Sequence, residues 1–190
     1  MSEKKLPILK GKEIKTRILR PEEYEVLRQG AGKLENQTLT DSCLLLGARY
    51  EECRRIQNNP SWFDGNFIHL PSEAQKKVRR TQTERWIRLS SMGKAILPYF
   101  FETRNMPTVQ AWNENLLRWS QRGNLDPAGI TARCLRKTYE SWLIFSFPAA
   151  TNLVYLSQGH TTLTSLQHYV NLPFLDEDKK LMKPWVEGWI

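Results

Sequence analysis

A short block of alternating polarity interrupts an otherwise helical pattern, and it limits the possible folds more than any other feature of the chain. Asn66-Phe67-Ile68-His69-Leu70 and Arg85-Trp86-Ile87-Arg88-Leu89 follow the two-residue period of half-buried strands. Turn chemistry at Asn58-Asn59-Pro60 and Asp64-Gly65 marks the change of period on the N-terminal side. The two runs are therefore predicted to be antiparallel neighbours. Their connection, Pro71 to Glu84, is 14 residues long and contains Lys76, Lys77, Arg79 and Arg80. Connections of that length inside a compact domain usually carry function or are disordered.

Elsewhere the pattern is helical. Pro21 sits where a first helical turn starts, with Glu22 and Glu23 near its positive end and Tyr24, Val26 and Leu27 behind them; Gly30 and Gly32 are expected to stop that helix. A second helix is predicted from a cap at Thr40 or Asp41, through Leu44-Leu45-Leu46 and past Gly47 into the segment bearing Arg49, Glu52 and Cys53. Pro107 is expected to open a helix with Val109, Trp112, Leu116 and Trp119 on one stripe and Gly123 at its end. Thr131 is a candidate cap for the next, with Cys134, Leu135, Thr138, Tyr139 and Trp142 on its apolar side. A shorter pair, Asn152 to Ser157 and Thr162 to Val170, flanks Gly159. The expected class is mainly α with a small antiparallel β-sheet.

Composition narrows the function classes. The chain has 190 residues, 25% of them charged and 40% hydrophobic, with seven Trp, six Tyr and seven Phe, which is too core-rich for a disordered protein. No window approaches the length of apolar run that spans a bilayer, and residues 1–20 are a basic leader or linker without a secretory apolar core. An intracellular protein with no membrane partner is expected. Cys43, Cys53 and Cys134 form no C-x-x-C pair and have no zinc-type spacing to His69, His160 or His168, so reduced, buried thiols and no metal or other cofactor are expected. The net charge of +8 points to a polyanionic partner, because each Lys or Arg near a phosphate releases condensed counterions.

Basic residues stand in separate clusters: Arg49, the Lys76–Arg80 segment, Arg133 with Arg136, and His160, nine residues before Tyr169. Arg133 and Arg136, three apart on a predicted helix, are expected on one face. Three of these clusters sit in motifs that look familiar. Gly47-Ala48-Arg49-Tyr50-Glu51-Glu52 resembles the G-x-R-x-x-E box of the tyrosine recombinase (phage integrase) family. Arg133-Cys134-Leu135-Arg136-Lys137-Thr138-Tyr139 resembles its H-x-x-R-H-T-F box, and Gly159-His160 followed by Tyr169 resembles its L-G-H…Y box. The order and spacings match over roughly residues 21–172, and the predicted hairpin lies between the first two boxes. Specificity comes from three boxes in order, since each alone is commonplace.

The resemblance implies a tyrosine recombinase (DNA breaking-rejoining enzyme) catalytic-domain fold over residues 21–172. It implies a site-specific recombinase or integrase that cuts one DNA strand through a 3′-phosphotyrosine bond. Carried over by match, Arg49 and Arg136 clamp the scissile phosphate, with Arg133 beside them. A lysine of the hairpin loop protonates the leaving 5′ oxygen, Lys77 ahead of Lys76 and Arg80 a distant third because spacing alone does not fix it in a loop this long; His160 hydrogen-bonds the phosphate and Tyr169 is the nucleophile. Lys76, Arg79, Arg80 and Lys137 would contact DNA. Fixed guanidinium groups suit the charge that builds on non-bridging oxygens during phosphoryl attack, and the ester conserves the energy of the broken bond. Double-stranded DNA and further copies of the chain in synapsis are the partners implied. So are a nucleoid location in the cytoplasm and a gene of viral or mobile origin, of archaeal or archaeal-virus type.

Departures from the family pattern bear on this assignment. Arg133 stands where most of the family has His, which makes acid–base work there unfavourable, and Lys137 stands where His is common. Only residues 1–20 precede the first matched helix, whereas the family generally carries a separate DNA-clamping domain there; an excised domain and a minimal protein both fit. Residues 173–190, with Phe174, Met182, Trp185 and Trp189, are expected to form a tail helix packing in cis or on a neighbouring protomer. Each basic residue also has an ordinary reading: Arg49 in an ion pair with Glu51, Glu52 or Glu22, Arg133 and Arg136 on a solvated face beside Glu140, and Tyr169 in the core. Two rival functions share the implied fold, a DNA-binding regulator without catalysis and a type IB topoisomerase-like enzyme that relaxes DNA.

Overall fold

A computed structural model describes residues 16–74, 84–159 and 174–190. The described residues form α-helices α1 (Pro21–Ala31), α2 (Leu34–Leu46), α3 (Tyr50–Gln57), α4 (Ser91–Glu102), α5 (Val109–Arg122), α6 (Ala132–Ser146), α7 (Thr151–Gln158) and α8 (Asp176–Val186), with strands β1 (Phe67–Leu70) and β2 (Arg85–Arg88) between α3 and α4. The coarse expectation, mainly helical with one small antiparallel sheet, holds. β1 and β2 pair antiparallel, Phe67 opposite Arg88 and His69 opposite Trp86. Their inward residues Ile68, Leu70 and Ile87 are buried, and Leu89 just beyond β2 is buried with them.

α6 lies at the centre because it is apolar on more than one side: Leu135, Tyr139, Trp142 and Leu143 are all buried. Its polar atoms find partners in the chain entering α1. Trp142 Nε1 donates to the Leu19 carbonyl at 3.0 Å, and Thr138 Oγ1 accepts from the Leu19 N–H at 3.0 Å. Tyr24 from α1 stands edge-on to Trp142 at 5.8 Å and to Trp185 of α8 at 5.1 Å, the arrangement that aromatic quadrupoles favour. α8 docks on its own chain through buried Met182 and Val186, the Arg20–Asp178 ion pair at 3.1 Å, and Trp189 Nε1 donating to the Arg88 carbonyl at 3.0 Å.

Several helix boundaries differ from the sequence expectation. α1 runs through Gly30 and ends at Gly32. Gly30 serves close packing instead: a Cβ there would lie 2.1 Å from the Trp119 carbonyl oxygen of α5. The predicted second helix is really two. α2 starts after Lys33, well before Thr40 and Asp41, and stops at Gly47 in the left-handed conformation (φ 55°), after which α3 begins at Tyr50. Thr40 and Asp41 misled as caps because their polar groups are satisfied inside the helix. Thr40 Oγ1 donates to the Asn36 carbonyl, while Asp41 accepts from Tyr24 Oη at 2.6 Å and from Arg28 Nε at 2.9 Å. Thr131 caps α6 as expected, whereas α5, expected to open at Pro107, is capped by Thr108 and begins at Val109.

Candidate anion-binding site

Glu52 organises a cluster of arginines drawn from three elements. It occupies the third position of α3, and its Oε2 accepts from the Arg49 backbone N–H at 2.9 Å, satisfying one of the unpaired donors at that helix start. Its Oε1 accepts from the Arg49 side chain at 2.8 Å. From β2, Arg85 reaches the same carboxylate with both terminal nitrogens, NH2 to Oε2 at 2.7 Å and NH1 to Oε1 at 3.3 Å. From the second turn of α6, Arg136 NH1 comes within 4.0 Å of Oε2. Three guanidinium groups thus converge on one carboxylate.

The C-terminal end of α7 completes the cluster. Arg136 NH2 donates to the Gln158 carbonyl at 2.6 Å and Arg85 Nε to the Ser157 carbonyl at 3.1 Å. These are carbonyls that a helix end leaves without intrahelical partners, and cations are favoured there. Gly159 follows in the left-handed conformation, and a Cβ on it would lie 3.1 Å from the Arg85 guanidinium. Gly47, the turn between α2 and α3, meets the Gln158 side chain: a Cβ there would lie 2.0 Å from Nε2. The turn before Arg49, the second turn of α6 and the α7–Gly159 turn are therefore in contact.

Electrostatics follow from this crowding. Burial would raise the Glu52 carboxyl, but the hydrogen bonds and charge of Arg85, with the N–H and guanidinium of Arg49, overcome it and hold the group down at about 2. Burial pushes Arg136 down to about 10, with Arg49 and Arg85 adding to the effect and Glu140 and Glu52 opposing it; the group stays charged at neutral pH. Three cations thus face Glu52, with Glu140 of α6 acting on Arg136 as a second carboxylate. Exposure differs among them: the Arg49 side chain keeps 39% of its surface, against 8% for Arg85 and 10% for Arg136. Arg49 is the most solvent-accessible of the three.

Not all the sequence-selected residues join the cluster. Arg49 and Arg136 do. Arg133 is exposed, and among the described residues its side chain makes no ion pair or hydrogen bond, so the shared face expected for Arg133 and Arg136 divides into one buried and one solvated arginine. Lys137 is half-buried beside Arg136. Lys76, Lys77, Arg79, Arg80, His160 and Tyr169 lie outside the described residues. The ordinary reading of Arg49, an ion pair with Glu52, is also present. The sequence reading missed Arg85, although a signal for it existed: it has the same parity as Ile87 and Leu89, which places it on the buried side of β2. A cleft of about 480 Å³ elsewhere, walled by Phe147, Lys179, Lys183, Val186 and Ile190, includes none of these residues.

Among the described residues there is no group of three or more His, Cys, Asp or Glu side chains able to hold a metal ion. No helix among them is long and apolar enough to cross a membrane. No known protein family matches the chain, and no curated protein matches it significantly.

Proposed function

We propose that this protein cleaves and rejoins DNA strands in the manner of a tyrosine recombinase, with the Arg49–Arg136 pair binding the scissile phosphate. One observation carries the reading. The three motifs that resemble recombinase boxes are far apart in the chain, yet Arg49, Arg136 and the Gly159 turn meet around Glu52. Half-exposed Arg49 and buried Arg85 and Arg136 together bring more positive charge to Glu52 than pairing one carboxylate requires.

In the proposed step the Tyr169 phenolate attacks the phosphorus, forming a 3′-phosphotyrosyl ester while the bond to the 5′ oxygen breaks and Lys77 supplies that oxygen with a proton. Arg49, Arg136 and His160 stabilise the charge on the non-bridging oxygens. Attack of a 5′ hydroxyl from the same or another strand reverses the step. Arg133, standing apart from the cluster, is left for contact with a neighbouring backbone phosphate, together with Lys76, Arg79, Arg80 and Lys137.

The test is to incubate supercoiled plasmid with the protein and with Tyr169→Phe, and to look for covalent protein–DNA adducts. Adducts from the first and none from the second are expected, with Arg136→Ala also silent but still binding DNA, because one phosphate contact among many changes affinity little. Mobility shifts with no adduct from either protein would refute cleavage and leave a DNA-binding regulator. Exchange between two marked duplexes separates a recombinase from an enzyme that only relaxes DNA. Rescue of Lys77→Ala by a 5′-bridging phosphorothioate identifies the proton donor.

A further inference from the structure

The outward face of the β1–β2 hairpin has a composition that core packing does not require. Phe67, His69, Trp86 and Arg88 all point away from the core, the alternate positions being buried. His69 stacks on Trp86 with ring centroids 4.4 Å apart and planes 18° from parallel, and Phe67 meets Trp86 edge-on at 6.3 Å. The Arg88 guanidinium lies 5.3 Å from the centre of the Phe67 ring and 5.8 Å from that of Trp189. Trp86 keeps 51% of its surface exposed, while each of the other six tryptophans is buried or half-buried. An indole left in water forfeits burial energy that its neighbours in the same fold collect.

We propose that this face is a stacking platform for an unpaired nucleobase, so that the protein binds single-stranded nucleic acid through Trp86. The platform is rigid. Ile68, Leu70, Ile87 and Leu89 anchor both strands in the core, and the Arg88 N–H donates to Ser157 Oγ at 3.0 Å, so ordering it on binding costs little. Its surroundings suit a phosphate-linked ligand. Arg88 lies within the aromatic layer, Lys94 Nζ reaches Asn66 Oδ1 beside β1 at 3.1 Å, and the chain as a whole is +8. Two carboxylates lie nearby: Glu84 is paired with His69 Nε2 at 2.9 Å, and Asp64 accepts from the Asn66 and Phe67 N–H groups at 2.8 and 2.7 Å. Aromatic side chains beside backbone-tracking cations are how sequence-tolerant single-strand binding is built. The inference rests on the nucleic-acid partner of the proposed function but not on its cleavage chemistry.

The test is fluorescence anisotropy of a labelled oligothymidylate and of a duplex of matched length, using the full chain at one salt concentration. Trp86→Ala is expected to lose roughly 5- to 150-fold in affinity for the single strand, the cost of one base–aromatic stack, with duplex affinity and salt dependence unchanged. Trp86→Phe, which keeps a ring, is expected to retain most of the affinity. An unchanged single-strand affinity in Trp86→Ala, or equal losses on both ligands, overturns the platform while leaving the duplex-binding reading intact. A wild-type protein that binds neither ligand overturns both. A self-association seen by sedimentation that Trp86→Ala abolishes overturns the platform in favour of an interface between copies. Absence of a Tyr169 adduct alongside the expected single-strand losses overturns cleavage alone, and the platform stands.

Discussion

Replacing Glu52 with Gln keeps the shape of the side chain and removes the charge on which Arg49, Arg85 and Arg136 converge. A carboxyl held at about 2 in place of its ordinary 4.5 corresponds, at about 1.4 kcal/mol for each tenfold, to roughly 3 kcal/mol of stability. Breaking a buried pair from one side costs a comparable ~3–5 kcal/mol. Because the folded value lies below the unfolded one, this contribution is complete above about pH 4.5 and is lost as pH falls toward 2. The variant should therefore unfold about 6–12 °C lower near neutral pH, taking about 2–4 °C for each kcal/mol in a chain of this size. The difference should shrink steadily on acidification. Thermal melts followed by circular dichroism read the shift and urea melts the free energy, since guanidinium salts would screen the charges under study. A neutral-pH loss no larger than the ~0–1 kcal/mol of an exposed ion pair, or a gap that stayed constant into acid, would refute the convergence.

Other features give equally direct expectations. Gly30→Ala would place a methyl 2.1 Å from the Trp119 carbonyl oxygen, so α1 and α5 must move apart; a loss of about 1–3 kcal/mol in urea melts is expected, despite the gain of up to ~1 kcal/mol that Ala ordinarily brings to a helix interior. Inorganic phosphate should raise the melting temperature of the wild type, and Arg49→Ala should lose most of that rise, whereas Arg133→Ala, outside the cluster, should keep it. Cys43, Cys53 and Cys134 are buried and unbridged, and burial pushes the Cys43 thiol well up and the Cys134 thiol up to about 12. A disulfide reagent such as Ellman's should find them unreactive in the native protein and titrate all three in denaturant; fast native-state labelling would contradict this burial.

The hairpin and most helices could be read from the sequence because local physics decides them. Alternation around Ile68 and Ile87, the Trp112–Leu116–Trp119 stripe and the cap at Thr131 each depend on a few neighbouring residues. The errors fell where satisfaction is tertiary. Asp41 looks like a cap until Tyr24 and Arg28 are seen to bind it, and Gly30 looks like a stop until α5 is seen lying against it. At the site, Arg49 and Arg136 could be picked by spacing; the parity of Arg85 with Ile87 marked it as inward-facing, but its partners on α3 and α7 are tertiary.

By itself, then, the order of residues determined the periodicities, the turns, the charge excess and the three spaced motifs, because these are properties of short stretches and of totals. Only the packed chain decided that Arg49, Arg85 and Arg136 face one carboxylate while Arg133 faces solvent. The division depends on which side of α6 is covered and where α7 ends, and desolvation, which turns a weak surface pair into a tightly held charge cluster, exists only once those elements have closed around Glu52.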